Sequence, residues 1–298
     1  MEPPLPRHLL SSLGRLIAPQ AMSAATVRER VTVSESASDV GWMWREAPPP
    51  VDATERFLEL YAARRAVRAP VLLVGGIFTE RYPGYLRRIR RAVGAVEIPI
   101  DTDQDVAHNA ATIRDAVLGA PERVVLVGQS KGPLDIHAAL SLHPEMVPYV
   151  RAFVSIQAPF GGTPLASDAE ASRAARWLVR GIVGGLFRGT PRAYFDMGYA
   201  ARRAFLARFP APVRVPTVAL ATWTTSAGLF LRSTHRYLNR YRVRTDGFVL
   251  LPDAHVPGAR LVTLDGLDHA SLALRWLRPR ARFEAGRVAQ ALVALALE

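Results

Sequence analysis

Six short apolar runs punctuate the sequence and restrict the folds open to it: "VLLVGG" (Val71 to Gly76), "AVEIPI" (Ala95 to Ile100), "RVVLVG" (Arg123 to Gly128), "AFVSIQA" (Ala152 to Ala158), "TVALATW" (Thr217 to Trp223) and "RLVTLDG" (Arg260 to Gly266). Each is too short for a helix, and several are rich in valine. Near-continuous apolar strands are those buried on both faces, as in parallel sheets covered by helices. Helix-like segments lie between them. In "DVAHNAATIRDAVLGA", Val106, Ala110, Ile113 and Val117 recur at helical spacing. This alternation predicts an α/β fold, with a mostly parallel central sheet flanked by helices.

The chain of 298 residues is long enough for one large α/β domain with residues left over. That domain is expected over residues 70–298. Met1 to Pro50 has no clear period and ends in "APPP". Residues 1–69 therefore read as an N-terminal extension with one or two helices. One of these should start at "DATE", with Asp52 as cap and Glu55 three residues on. A second departure from the alternation falls at about residues 168–210, which are helix-prone and hold no good strand. This stretch reads as a helical cap insertion, with "GIVGG" (Gly181 to Gly185) as a joint. Trp177, Leu178, Leu186, Phe187 and Phe195 would give it an apolar lining.

The chain has no cysteine, which excludes disulfides, thiolate metal sites and a cysteine nucleophile. Its formal net charge is +12. The arginines are scattered, without zinc-ligand spacing or an aromatic RNA-binding signature. Nucleic acid is therefore not expected as a partner, while peripheral contact with an anionic membrane surface fits the charge. No apolar run approaches the ~20 residues of a membrane span. The segment "MEPPLPRHLLSSLGRLIAPQAMSA" is proline-rich and interrupted by Arg15, a poor secretory signal, so a cytoplasmic location is expected.

The most specific motif is Gly128-Gln129-Ser130-Lys131-Gly132, a G-x-S-x-G pattern. It follows a predicted strand and opens a helix carrying Leu134, Ile136, Ala139 and Leu140. A sharp strand-to-helix turn holds its serine in a strained conformation, and side chains two residues either side would collide, hence the glycines. Pro133 suits a first helical turn. Lys131 is the only lysine of the chain. Its backbone N–H is the part the motif requires; its side chain could be incidental or could favour anions near a pocket.

A serine hydroxyl needs a base, and the base an orienting carboxylate. His269, in "LVTLDGLDHASLA", follows the last predicted strand and falls at its carboxyl end, where open α/β sheets place their sites. His255 precedes that strand and should lie at the opposite edge. His235 lies in an arginine-rich stretch and reads as a surface residue. For the acid, Asp246 in the D-G turn of "RVRTDGFVLL" is preferred over Asp265 and Asp268. Those two lie too close in sequence to His269 to support its ring from behind. Donors for an oxyanion are expected at the Lys131 N–H and, after the glycines of "VLLVGGIF", the Ile77 N–H.

"LVGGIF", "LVGQSKG", "IQAPFGGTPLASD", "RTDGFV" and "LDGLDHASL" together resemble the bacterial lipase and esterase branch of the α/β-hydrolase superfamily, from Pro70 to the C-terminus. Where such enzymes often read H-G after the first strand, this chain has Gly75-Gly76. The resemblance implies an α/β-hydrolase fold, a Ser130, Asp246 and His269 triad, and no cofactor or metal. The expected activity is hydrolysis of small-molecule or lipid carboxylic esters through an acyl-enzyme on Ser130. Phe78, Phe160, Trp177 and Phe187 are the candidate pocket or cap residues. Acyl transfer or thioester hydrolysis could use the same triad. A non-catalytic binding protein with a basic surface is the remaining alternative.

Overall fold

The computed structural model describes residues 38–298 apart from 65, 78, 80–83, 103, 172–190, 212–213 and 275–281. Strands β1 (Val51–Asp52), β2 (Val71–Val74), β3 (Val96–Glu97), β4 (Val124–Gln129), β5 (Val150–Ile156), β6 (Thr217–Trp223) and β7 (Arg260–Asp265) form one sheet. Their order is β1-β7-β6-β5-β4-β2-β3, and every neighbouring pair is parallel. All residues of β2 and β4 are buried, because helices cover both faces. Along β4, Val124 and Leu126 pack on one face and Val125 and Val127 on the other. Burial of each such side chain stabilises the fold by roughly 1.5–3 kcal/mol relative to exposure.

The first face is covered by α4 (Val106–Leu118) and α5 (Gly132–Leu142). The four apolar positions expected to share a face of α4, Val106, Ala110, Ile113 and Val117, are all buried. Asp105 caps this helix by accepting the His108 N–H at 2.8 Å. The second face is covered by α2 (Thr54–Ala63), α3 (Arg87–Val93) and α10 (Ala285–Ala296). Glu284 caps α10 by accepting the N–H groups of Gly286 and Arg287 at 3.1 and 2.7 Å.

The edges differ from the sequence reading. The strand expected over 95–100 is paired only at Val96 and Glu97. It has a single neighbour, and Pro99 offers no N–H for a longer ladder. At the other edge, Val51 and Asp52 add β1 to β7, although neither is buried and no apolar run announces them. Asp52 thus lies in a strand, and Ala53 is the N-cap residue of α2. The Asp52 carboxylate still accepts the Thr54 N–H at 2.9 Å.

Much of the segment read as an N-terminal extension falls in residues 1–37, outside the described residues. The remainder packs on the same body. A short helix, α1 (Trp42–Glu46), precedes β1, and the Trp42 indole N–H donates to the Gly161 carbonyl at 2.7 Å. Buried Asp253 accepts the Gly41 N–H at 2.7 Å and the Tyr199 hydroxyl at 2.6 Å. One carboxylate thereby joins the N-terminal segment to the insertion. Burial pushes its pKa up to about 7, against the lowering effect of these two hydrogen bonds.

Between β5 and β6 the described residues form α6 (Pro164–Ala171), α7 (Pro191–Phe195) and α8 (Tyr199–Arg208), with no strand among them. Tyr237 and Tyr241 donate to Asp168 of α6 at 2.6 and 2.5 Å, tying it to α9 (Arg232–Leu238) and the turn that follows. Trp177, Leu178, Leu186, Phe187 and the "GIVGG" joint lie outside the described residues.

Candidate active site

The sheet order places a crevice where the chain changes direction. From β2 the chain moves outward to β3, then returns to β4 on the other side of β2. Loops leaving the carboxyl ends of β2 and β4 therefore diverge, and open α/β sheets bind ligands at such a point. Gly75, Gly76 and Ile77 leave β2 there, and Ser130 leaves β4.

Ser130 has φ 58, in the left-handed region that side chains rarely adopt. Close packing imposes it. A Cβ on Gly128 would lie 2.6 Å from the Pro133 nitrogen, and one on Gly132 would lie 2.4 Å from the Val74 carbonyl oxygen. Both flanking glycines are therefore required, and helix α5 starts at once with Pro133 in its first turn. The Ser130 N–H donates to the Ile156 carbonyl at 2.9 Å, fixing the turn to β5.

His269 follows β7, as expected for a loop at the strand's carboxyl end. Its Nε2 lies 2.9 Å from Ser130 Oγ, and its Nδ1 lies 2.8 Å from Asp246 Oδ2. A carboxylate at Nδ1 favours the tautomer with the proton there, leaving Nε2 as acceptor for the serine hydroxyl. The main chain reinforces the pairing, since the His269 N–H donates to the Asp246 carbonyl at 2.9 Å. The Phe248 ring lies against the imidazole, with centroids 4.8 Å apart.

Asp246 is held from behind. Its Oδ1 accepts the N–H groups of Phe248 and Val249 at 2.9 and 2.8 Å, which leaves Oδ2 for the histidine. The two competing carboxylates are engaged elsewhere. Asp265 pairs with Arg282 at 3.1 Å. Asp268 accepts the Gly228 N–H at 2.8 Å and the Ser271 hydroxyl at 2.6 Å.

The remaining histidines depart in part from expectation. His235 is buried rather than at the surface, with Nε2 2.9 Å from the Thr224 carbonyl and Nδ1 3.1 Å from Asn239 Nδ2. The Thr224 N–H donates to the Thr245 carbonyl at 3.0 Å, so His235 supports the loop that carries Asp246. The arginines around it mask this role, because they occupy the outer face of the same helix. His255 packs edge-on against Trp44, away from these contacts, with Nε2 3.2 Å from the Pro48 carbonyl.

Gly76 brings the β2 loop against the serine: a Cβ there would lie 2.8 Å from Ser130 Cβ. Among the described residues, neither the Ile77 nor the Lys131 N–H is taken by a protein acceptor. Phe160 is fully buried, with its ring against His137 and the Arg202 guanidinium at 5.0 and 5.2 Å. Phe78, Trp177 and Phe187 lie outside the described residues. The Lys131 side chain is turned into the protein interior. It is buried, with Nζ 2.6 Å from Asp135 Oδ1 one turn along α5. A lysine four residues before an aspartate in an apolar helix was the available sign. Among the described residues no group of three or more His, Asp and Glu is placed to hold a metal ion, and no helix is long and apolar enough to cross a membrane.

A wholly parallel sheet in this order, with a serine at the corner after β4 and a histidine after β7, has the α/β-hydrolase fold. Among solved structures, the chain is similar to a metagenomic carboxyl esterase, with a TM-score of 0.67 and 23% identity over 78% of this chain and 77% of that one. It is also similar to the mature form of a Bacillus licheniformis lipase, with a TM-score of 0.55 and 24% identity over 69% of this chain and 86% of that one. A Staphylococcus hyicus lipase gives a TM-score of 0.57 at 11% identity, over 77% and 95% of the two chains. Neither a protein-family model nor a curated protein sequence matches the chain.

Proposed function

We propose that the chain is a serine hydrolase of carboxylic esters. The observation that carries this reading is the hydrogen-bonded series Ser130 Oγ to His269 Nε2 and His269 Nδ1 to Asp246 Oδ2, at 2.9 and 2.8 Å. Ser130 Oγ attacks the ester carbonyl carbon while its proton passes to His269 Nε2. The N–H groups of Ile77 and Lys131 stabilise the oxyanion as the tetrahedral intermediate forms. Collapse breaks the carbon–oxygen bond to the alcohol, which takes the proton from Nε2. Water then attacks the acyl-enzyme and gives its proton to Nε2, and the acid leaves as Ser130 recovers its proton. Asp246 holds the imidazole tautomer and stabilises the cation formed at each step.

An ester with an apolar portion fits the surroundings. Ala270, next to the histidine, clusters with Ala227 and Leu231. Beside that cluster, Leu229 and Phe230 are 80% and 56% exposed. The similar structures, an esterase and two lipases, agree with this class of substrate.

A fluorophosphonate probe, peptide mapping and a p-nitrophenyl ester series of increasing acyl length test the reading. Stoichiometric label on Ser130 and ester turnover are expected. Turnover should fall roughly 10⁶-fold in Ser130→Ala, by analogy with loss of a triad nucleophile. Folded protein that neither labels nor hydrolyses any ester would point instead to a binding protein. An acyl group passed preferentially to added alcohol or thiol would make it a transferase.

A further inference from the structure

The chemistry proposed above uses the Lys131 N–H and leaves its side chain without a role. That side chain is fully buried, although it belongs to the only lysine among 38 lysines and arginines. Asp135 Oδ1 takes the ammonium at 2.6 Å and also accepts from Asn109 Nδ2 of α4 at 3.2 Å. The same amide donates to the Asp101 carbonyl at 3.0 Å. The ion pair therefore links the serine corner to the next helix and to the loop before it.

As a stabilising device this arrangement is poor in three respects. A cation at a helix N-terminus opposes the helix dipole. Lysine preceding its acid by four residues is the less favourable order on a helix. A buried ion pair often stabilises less than apolar side chains of the same volume.

The placement suits another purpose. Ser130 is left-handed at φ 58, and Lys131 is already helical at φ −67 and ψ −30. The peptide between them joins two incompatible conformations, and its N–H is the proposed oxyanion donor. Relaxation of the strained serine would swing that N–H. The residue is restrained at both ends. Its carbonyl accepts the Leu134 and Asp135 N–H groups at 2.8 and 3.3 Å, while its ammonium is held by the Asp135 carboxylate.

We propose that Lys131 and Asp135 are positioning residues, whose buried ion pair aims the Lys131 peptide N–H at the oxyanion. This inference rests on the ester-hydrolase reading. Asp196, which accepts the Val106 N–H at 3.0 Å, and fully buried Arg202 are charged neighbours of the pair. Replacing Lys131 alone would leave two carboxylates facing one guanidinium, so the informative variant removes both partners.

The test compares wild type with Lys131→Met/Asp135→Leu, using p-nitrophenyl butyrate, with active sites counted by fluorophosphonate. In the double variant, kcat per labelled site should fall about 10- to 100-fold. That is less than the roughly 10²–10³ of losing a whole oxyanion donor. KM should stay near wild type. Inhibition by butylboronic acid, which forms a tetrahedral adduct on serine, should weaken by about the same factor as kcat/KM. A purely structural pair would lower Tm or the number of active sites and leave kcat per site unchanged, and that result would overturn the proposal. If the double variant does not fold, Asn109→Ala loosens Asp135 more gently. Several-fold lower kcat at unchanged KM is then expected, and wild-type kcat overturns the proposal. Wild-type protein that neither labels at Ser130 nor hydrolyses the ester would remove both this inference and the hydrolase reading. Wild type that does both, with an unaffected variant, removes this inference alone.

Discussion

Gly76 and Ser130 lie back to back: a methyl group on the glycine would come within 2.8 Å of the serine Cβ and 3.1 Å of Gln129 Oε1. The loop after β2 and the corner after β4 therefore share one tightly packed space. Gly76→Ala should destabilise the fold by about 1–3 kcal/mol, the usual cost of overpacking. It should also displace the Ile77 N–H and cut kcat by about 10²-fold, the lower range for a lost oxyanion donor. Thermal unfolding and ester kinetics on the same preparation check both effects. A variant with wild-type kcat would take Ile77 out of the mechanism.

Asp246 uses one carboxylate oxygen for the loop and the other for His269. Asp246→Asn can keep the first function, since its amide oxygen still accepts the Phe248 and Val249 N–H groups. It then presents an NH₂ to the imidazole, which reverses the tautomer. The fold should survive while kcat falls about 10⁴-fold. Asp265→Asn, which loses only an exposed pairing with Arg282, should retain turnover. The opposite ranking of the two variants would move the acid role.

Ser130→Ala and Ser130→Gly should both abolish turnover but differ in stability. Alanine keeps a Cβ at a left-handed position and glycine does not. The glycine variant should be more stable than the alanine variant by about 1 kcal/mol, the cost of that conformation for a side chain. Denaturant unfolding of the two proteins measures the difference. Equal stabilities would mean the corner stores no strain.

Asp253 gives a stability term with an unusual sign. Burial raises its pKa from 3.8 to about 7, so the folded protein holds this proton more tightly than the unfolded chain. Its contribution is full below about 3.8 and is lost as pH rises through about 7. Asp253→Asn removes the titration and can still accept the Gly41 N–H. Its Tm relative to wild type should therefore rise from pH 5 to about pH 7 and level off by pH 8. A difference that stays flat or falls would show that the carboxyl is ionised throughout that range in the folded state.

The sheet was legible wherever a strand is buried on both sides, because such strands need apolar residues at every position. β2, β6 and β7 fall within the runs read from sequence, β4 extends one residue past its run to Gln129, and β5 begins two residues before its run at Val150. The edges were not. Val51 and Asp52 pair through their backbones alone, with both side chains exposed, and backbone pairing leaves no mark on composition. The three residues brought together at Ser130 Oγ were legible because Ser130 and Asp246 sit in glycine-containing turns and His269 follows the last predicted strand. The tie of Gly41 and Tyr199 to Asp253 had no such sign, since its members lie far apart in sequence and meet only in the folded chain. Residues masking one another hid His235, whose burial on the inner face of α9 depends on which side of that helix meets the Asp246 loop.

Lysine being otherwise replaced by arginine throughout, Lys131 carries the sole side-chain amine of the protein, and none of it reaches solvent. Acylating and reductively alkylating reagents consequently find no lysine on the native surface. Any adduct that does form at position 131 records a moment when the corner beneath Ser130 has breathed open. The chain thus carries a built-in chemical clock for fluctuations at the left-handed Ser130 corner.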